Sequence, residues 1–452
     1  MSTGGEMLWS VLFLLSAIHI SVPETPSSWR VGIHAIDLES GETLVSVNAD
    51  APFRPASTVK AVTTLSALIT LGSSYIYRTT IEIDTLGHRI LLRGSGAPLL
   101  SIEDVARAAM ETAAILPEAP CWSLFLDPSA MTGDSHLPGW DEDDWNRTYC
   151  PPVEPLCIGD NVLEVVISSV NGRVRLFSYP PLPGLRIFRE SLTTGSTTAL
   201  TAVGGNWETA EPEIRISGTI RSGDRKILYQ PFAGAPGELA MVLQEELSSL
   251  GVNSENRGIL NRTDQDAAFS TASVMYSDPL WIILGSMNKW SRNMVAEQIL
   301  RTVARETSGE PGSTRAGCDV SGALLDSLVP GAEGWQLADG SGLSRLNLLT
   351  PRQMAAVFRA GATSLEFGPE FLASFPVNGV DGTLSSRMES LPEGSFRGKT
   401  GSLNDTCTIT GILTTRNGRK VALAIFLEIP SGQILRARAW QDSYIEALYT
   451  EL

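Results

Sequence analysis

Apolar and polar positions alternate over residues 29–37 and 43–48, around Glu39-Ser40-Gly41, and predict a hairpin of two sheet strands. The period then changes. Val59, Val62, Leu65 and Ile69 recur at helical spacing, so the next segment is a helix with one face on a core, ending near Leu71-Gly72. From about residue 79 the texture becomes short strands, at 80–83, 89–92 and 123–126, with a helix over 102–115. A hairpin over 161–168 and 173–178 turns at Asn171-Gly172. Strands follow over 213–220 and 226–229, then a helix over 237–250 closed by Gly251. Near Ser270 the chain is expected to become helical again, with a helix over 294–304 and another starting at Thr350-Pro351. Two antiparallel strands over 406–414 and 420–429, around Asn417-Gly418, precede a closing helix over 432–452.

This order predicts an α+β protein. Residues 25–80 and 265–452 make one discontinuous domain, an antiparallel sheet flanked by helices, and residues 81–264 form one or two inserted mostly-β domains. A length of 452 residues agrees with more than one domain, and a hydrophobic fraction of 43% supplies sizeable cores. The net charge of −16 argues against nucleic acid or an anionic membrane surface as main partner. Residues 8–20 are an apolar run of signal-peptide length, too short for a membrane span. Its flank lacks Lys and Arg and contains Glu6, yet Val22-Pro23-Glu24-Thr25-Pro26 reads as a linker. Residues 1–24 are therefore read as an export signal, with an uncleaved anchor or a buried N-terminal element as alternatives. The expected site of action is periplasmic or otherwise extracytoplasmic. The five cysteines have no C-x-x-C spacing, which argues against a zinc site. Cys150 and Cys157 bracket a Pro-rich loop, as a disulfide or as two buried thiols.

The candidate chemistry begins at Ser57, with Lys60 three residues on and on the same helix face. A serine hydroxyl is a poor nucleophile until a neighbour takes its proton, and a desolvated, neutral lysine does that. The same spacing recurs at Ser286 and Lys289, so the pair alone decides little. Two later patterns change the weighting: Ser291-Arg292-Asn293 and Lys399-Thr400-Gly401. Each is weak alone. In this order they are the signature of serine penicillin-recognising enzymes. The chain holds only His19, His34, His88 and His136 and no Gly-x-Ser-x-Gly elbow, which disfavours a Ser-His-Asp enzyme. No His/Asp/Glu cluster has metal-ligand spacing, and the chemistry calls for no cofactor.

The wider context resembles the D-alanyl-D-alanine carboxypeptidase/endopeptidase family, the class C low-molecular-mass penicillin-binding proteins of peptidase family S13. The matching stretches include Pro55-Ala56-Ser57-Thr58, Pro138-Gly139-Trp140, Ala296-Glu297 after the second motif, Asp339 to Arg345, Asp381 to Leu384, and Gly398 to Gly401. The resemblance implies a transpeptidase-like catalytic domain with inserted domains in the long gap between the first two motifs. It implies Ser57 as the acylated nucleophile, Lys60 as its proton acceptor and Ser291 as a proton relay. Asn293 would hold the substrate amide and the lysine, and Arg292 would point away. Lys399 would present positive charge, and Thr400 would bind the substrate's terminal carboxylate beside Gly401. The backbone N–H groups of Ser57 and Ser402 would form the oxyanion hole. Asp144 and Tyr149 match an acidic-aromatic pair that contacts a diaminopimelate side chain, or are a solvated loop with a packing tyrosine. Arg345 is a partner for the substrate carboxylate or a structural ion pair. The implied substrates are peptidoglycan stem peptides and cross-bridges, and β-lactam antibiotics would acylate the same serine. A β-lactamase-like hydrolase and a non-catalytic wall-binding protein on the same fold remain as alternatives.

Overall fold

Two strands from the start of the chain and three from its end build one antiparallel sheet, in the order Phe396–Leu403, Thr406–Thr414, Lys420–Glu428, Arg30–Asp37 and Thr43–Val47. The computed structural model describes residues 22–207, 211–260, 269–329 and 334–452. The apolar run at 8–20 lies outside the described residues. Lys420–Glu428 is an almost unbroken apolar run because both of its faces are covered. Ala422, Ala424 and Phe426 face a core made with the helices Lys60–Leu71, Leu280–Trp290, Asn293–Ser308 and Pro351–Thr363. Leu423, Ile425 and Leu427 face the opposite core, against Tyr444, Ile445 and Leu448 of the closing helix Ile434–Glu451. Lys60–Leu71 is the buried centre of the helical layer, with every residue from Lys60 to Leu68 inside.

A second sheet runs Ser254–Ile259, Trp122–Asp127, Arg89–Arg93, Arg78–Asp84 and Ser270–Tyr276, backed by the helices Ile102–Ala113 and Ala235–Ser249. Two three-stranded sheets complete the insertion. One is Arg225–Pro231, Val162–Val170 and Arg173–Tyr179, and the other is Arg186–Gly195, Glu211–Arg221 and Ala199–Asn206. Leu163, Val165 and Ile167 of the first share one core with Ile214, Ile216 and Ile220 of the second.

The segment beginning at Ser270, expected to be helical, is first a strand, Ser270–Tyr276, antiparallel to Arg78–Asp84. That strand belongs to the inserted unit through Met275. We propose domain boundaries near 78 and 276, three residues before 81 and twelve after 264. Further elements were not anticipated, among them the following three. Arg186–Gly195 carries a mostly exposed, polar pattern, so its alternation is faint. Ala199–Asn206 pairs antiparallel with Glu211–Arg221. Thr314–Leu328 is a helix whose buried positions are Gly317, Cys318, Ser321 and Leu325, mostly small residues that leave little apolar period. A Cβ at Gly317 would lie 2.5 Å from the Leu300 carbonyl oxygen, so the neighbouring helix approaches closely.

Ile425 is fully buried between two covered faces, whereas Leu365 is fully exposed. Ile425→Ala should cost about 2–5 kcal/mol in urea denaturation followed by tryptophan fluorescence, and Leu365→Ala should change it by less than about 0.5 kcal/mol.

Candidate active site

Pro55 sets the turn that presents Ser57. Its carbonyl accepts from Thr58 Oγ1 at 2.6 Å and from Thr408 Oγ1 at 2.7 Å. Ala56 is held at φ +48°, a left-handed conformation uncommon outside glycine. Two glycines from distant loops press on this turn. A Cβ at Gly342 would come within 1.8 Å of the Ala56 carbonyl oxygen, and one at Gly401 within 2.8 Å of the Pro55 oxygen. Ser57 therefore sits in a one-turn 3-10 segment, Ala56–Val59, immediately before the helix that begins at Lys60.

Lys60 is fully buried. Its Nζ lies 3.0 Å from Ser57 Oγ and donates to Asn293 Oδ1 and the Ser341 carbonyl, both at 2.6 Å. Burial lowers its pKa to about 7, against the opposing pull of Asp339 and Glu297. Lys399 is equally buried, and its Nζ reaches Ser291 Oγ at 3.0 Å and the Thr400 carbonyl at 2.9 Å. Desolvation, and then the nearby Lys60, hold Lys399 well below the usual lysine range. Ser291 ends the Leu280–Trp290 helix in a left-handed cap at φ +57°, which turns its hydroxyl toward Lys399.

These groups surround a cavity of about 440 Å³ walled by Ser57, Ser291, Asn293, Thr400 and Ser402 on the catalytic side. Asp144 and Tyr149 reach the same wall from the inserted unit, with Tyr149 Oη donating to Asp144 at 2.6 Å. Asn293 Nδ2 donates to the Tyr149 carbonyl at 2.6 Å. Arg345 also lines the cavity, but it is ion-paired with Asp405, which Arg54 holds as well at 3.0 Å. Lys60, Lys399 and Gly401 do not line the cavity and stand behind its wall. The rival serine is separated by geometry: Lys289 pairs with Asp381 at 2.8 Å, not with Ser286. Arg292 leaves the site toward Asp160, 3.7 Å away.

Three residues of consequence carried no assigned role in the sequence reading. Asp339 accepts from Trp140 Nε1 at 3.0 Å, from the N–H groups of Gly342 and Ser344 at 2.7 Å each, and from Asn347 at 2.8 Å. Glu297 accepts from the N–H groups of Gly340 and Ser341 at 2.9 Å each. Burial, then Asp339, raises its pKa to about 8. Both acids lie in stretches that the family resemblance picked out, and the signal was present without its meaning. Arg438, on the closing helix, lines the cavity and donates to Ser402 Oγ at 3.2 Å. It lies in no motif. Cys150 and Cys157 are two separate buried thiols, and Cys157 Sγ donates to the Ala97 carbonyl at 3.1 Å. Among the described residues no group of His, Cys, Asp and Glu is placed to hold a metal ion, and no helix is long and apolar enough to cross a membrane.

The sequence model of the D-Ala-D-Ala carboxypeptidase 3 (S13) family matches residues 17–442. D-alanyl-D-alanine carboxypeptidase DacB of Haemophilus influenzae is 24% identical, over 99% of this chain and 97% of its own. A D-alanyl-D-alanine carboxypeptidase of Actinomadura sp. (strain R39) is 26% identical, over 86% of this chain and 76% of its own. The crystal structure of penicillin binding protein 4 from Haemophilus influenzae superposes with a TM-score of 0.79 at 22% identity, covering 94% of this chain and 97% of that one. That likeness shows the α+β fold, a transpeptidase-like domain with added β domains.

Trp140 Nε1 joins the inserted unit to a buried carboxylate that organises the Ser341 loop. Trp140→Phe keeps an aromatic ring but deletes the donor and part of the buried ring system. It should lower stability by about 1–3 kcal/mol, read as a shift of the thermal unfolding midpoint.

Proposed function

This chain belongs to the D-Ala-D-Ala carboxypeptidase 3 (S13) family of hydrolases, and on that premise we propose that Ser57 cleaves peptidoglycan stem peptides through an acyl-enzyme. One observation carries the assignment. Two of the three directions at Lys60 Nζ end on acceptors that cannot donate, Asn293 Oδ1 and the Ser341 carbonyl. A neutral amine has two N–H bonds and one lone pair. With both N–H bonds committed, the lone pair faces Ser57 Oγ at 3.0 Å. Burial favours that neutral form.

In the proposed reaction Ser57 Oγ attacks the carbonyl carbon of the scissile D-alanyl peptide bond and its proton passes to Lys60. The developing oxyanion takes the backbone N–H groups of Ser57 and Ser402, each such donor worth about 3–4 kcal/mol to the transition state. The C–N bond breaks as Ser291, hydrogen-bonded to Lys399, relays the proton taken up by Lys60 to the leaving nitrogen, which returns Lys60 to its neutral form and leaves Ser291 as a hydroxyl. Water then hydrolyses the ester and restores Ser57. A substrate carboxylate at Thr400 would also meet Ser402 and Arg438. Arg438 suits that role better than Arg345, whose charge is already answered by Asp405. A carboxylate there favours the charge on Lys399, and a charged Lys399 further disfavours charge on Lys60. Release of a terminal D-alanine and scission of a cross-bridge are the same step with different leaving amines. Asp144 and Tyr149 are placed to read the side chain of the acyl half. Penicillins mimic this bond and would acylate Ser57. Peptidoglycan lies outside the cytoplasm, so the enzyme works there, and residues 1–24 are the candidate export segment.

Two measurements test the reading. Intact-protein mass spectrometry after incubation with benzylpenicillin should show one persistent adduct, lost in Ser57→Ala and kept in Ser286→Ala; loss only in Ser286→Ala would refute the assignment. The acylation rate should fall about tenfold per pH unit below the Lys60 pKa, because the amine becomes protonated. It should level off above about 7. A stopped-flow profile that is flat from pH 5 to 8, a range of about three units, would exclude Lys60 as the base.

A further inference from the structure

A second cavity, of about 620 Å³, opens beside the first. Both are walled by Tyr149, Trp290, Ser291 and Asn293, so they adjoin across these residues. The far wall of the second is Val162, Glu164 and Tyr229 of the inserted unit. These residues begin the outer face of a three-stranded sheet. Along Val162–Val170 the residues Leu163, Val165 and Ile167 point into the core, which leaves Val162, Glu164, Val166 and Ser168 outward.

Register carries that outward face across all three strands. Tyr179, Glu164 and Tyr229 form one row, Phe177, Val166 and Ile227 the next, and Arg175, Ser168 and Arg225 the third. Phe177 is 59% exposed, Tyr179 57% and Tyr229 54%, and nothing among the described residues covers them. Strands lie about 4.8 Å apart, so the two tyrosines flank Glu164 at roughly 10 Å from one another. Exposed aromatics in register on a solvated sheet face cost solubility unless they bind something.

We propose that this face is a binding track for the glycan strand of peptidoglycan, leading its stem peptides into the Ser57 cavity; the inference rests on the function proposed above. Two observations select this occupant. The track ends at a cavity that shares its wall with the catalytic one, so a polymer lying on it would hold its side branches beside Ser57. The C–H-rich faces of pyranose rings pack on aromatic rings, whose faces are electron-rich. The third row then places Arg175 and Arg225 in a chain of net charge −16, where stem-peptide carboxylates would meet positive charge.

The test is co-sedimentation of the full chain, already acylated with benzylpenicillin, with purified insoluble sacculi. Phe177→Ser/Tyr179→Ser/Ile227→Ser should bind about tenfold more weakly, the scale expected for losing aromatic anchors. Its stoichiometric uptake of penicillin reports that it is folded. Should that variant fail to fold, Arg175→Glu/Arg225→Glu provides the same reading with polar surface changes only. Sacculus binding equal to wild type in the folded variants would overturn the track. So would loss of binding beyond that of Arg175→Glu/Arg225→Glu when the stem peptides are stripped from the glycan by an amidase, or concentration-dependent dimerisation abolished by the triple variant. A wild type that takes up no penicillin yet sediments with sacculi would instead overturn the catalytic reading and leave the track standing.

Discussion

Everything in the catalytic half converges on one buried amine. Lys60 Nζ has no solvent, and its three neighbours come from three parts of the chain: Ser57 on its own turn, and, from remote segments, Asn293 at the end of the second motif and the carbonyl of Ser341. Removing an ammonium from water costs several kcal/mol even after relaxation. In the proposed reaction the neutral amine is the useful species, which gives the fold a reason to bury it. Stability alone would have placed an apolar side chain there.

Holding two acceptors at fixed positions needs support behind them. Ser341 belongs to a loop in which Asp339 and Glu297 take up the backbone N–H groups of Gly340, Ser341, Gly342 and Ser344. Burial, and then the nearby Asp339, raise the Glu297 carboxyl to about 8. Arg301, itself buried, offsets part of that. The same loop supplies Gly342, which packs so close to the Ala56 carbonyl that no side chain fits. One loop thus holds Lys60 through the Ser341 carbonyl and the turn of Ser57 through the missing Cβ of Gly342. A loop with both contacts to make has little freedom to vary, and this gives a physical reason for the Gly-Ser-Gly sequence.

The elements most visible in the chain's pattern were those whose burial follows a simple period, such as Lys420–Glu428 and the serine helix. The site groups were legible because the chemistry demands particular atoms at particular spacings: hydroxyl and amine one helical turn apart, then a second hydroxyl and amide, then a second lysine before a glycine. The roles of Asp339, Glu297 and Arg438 were not legible. Their partners are Trp140, Gly340 and Ser402, far away in sequence, and no local period encodes such contacts. Thr314–Leu328 escaped for a different reason, since close helix packing selects small residues and erases the apolar stripe. Ser270–Tyr276 was misread because its partner strand, Arg78–Asp84, lies almost two hundred residues earlier.

The insertion is more than a passenger on the catalytic domain. Asn293 spends its oxygen on Lys60 and its amide hydrogens on the Tyr149 carbonyl of the inserted unit. That second bond decides which end of the amide faces the lysine. An unanchored Asn293 can rotate and present N–H₂ to Nζ, two donors opposed, and the lone pair would lose its direction toward Ser57. Trp140 on Asp339 performs the corresponding service for Ser341. Both acceptors of the catalytic amine are therefore oriented from outside the catalytic domain. The active site belongs to the two units jointly, and the inserted domain that helps aim the base also forms the far wall of the groove beside it.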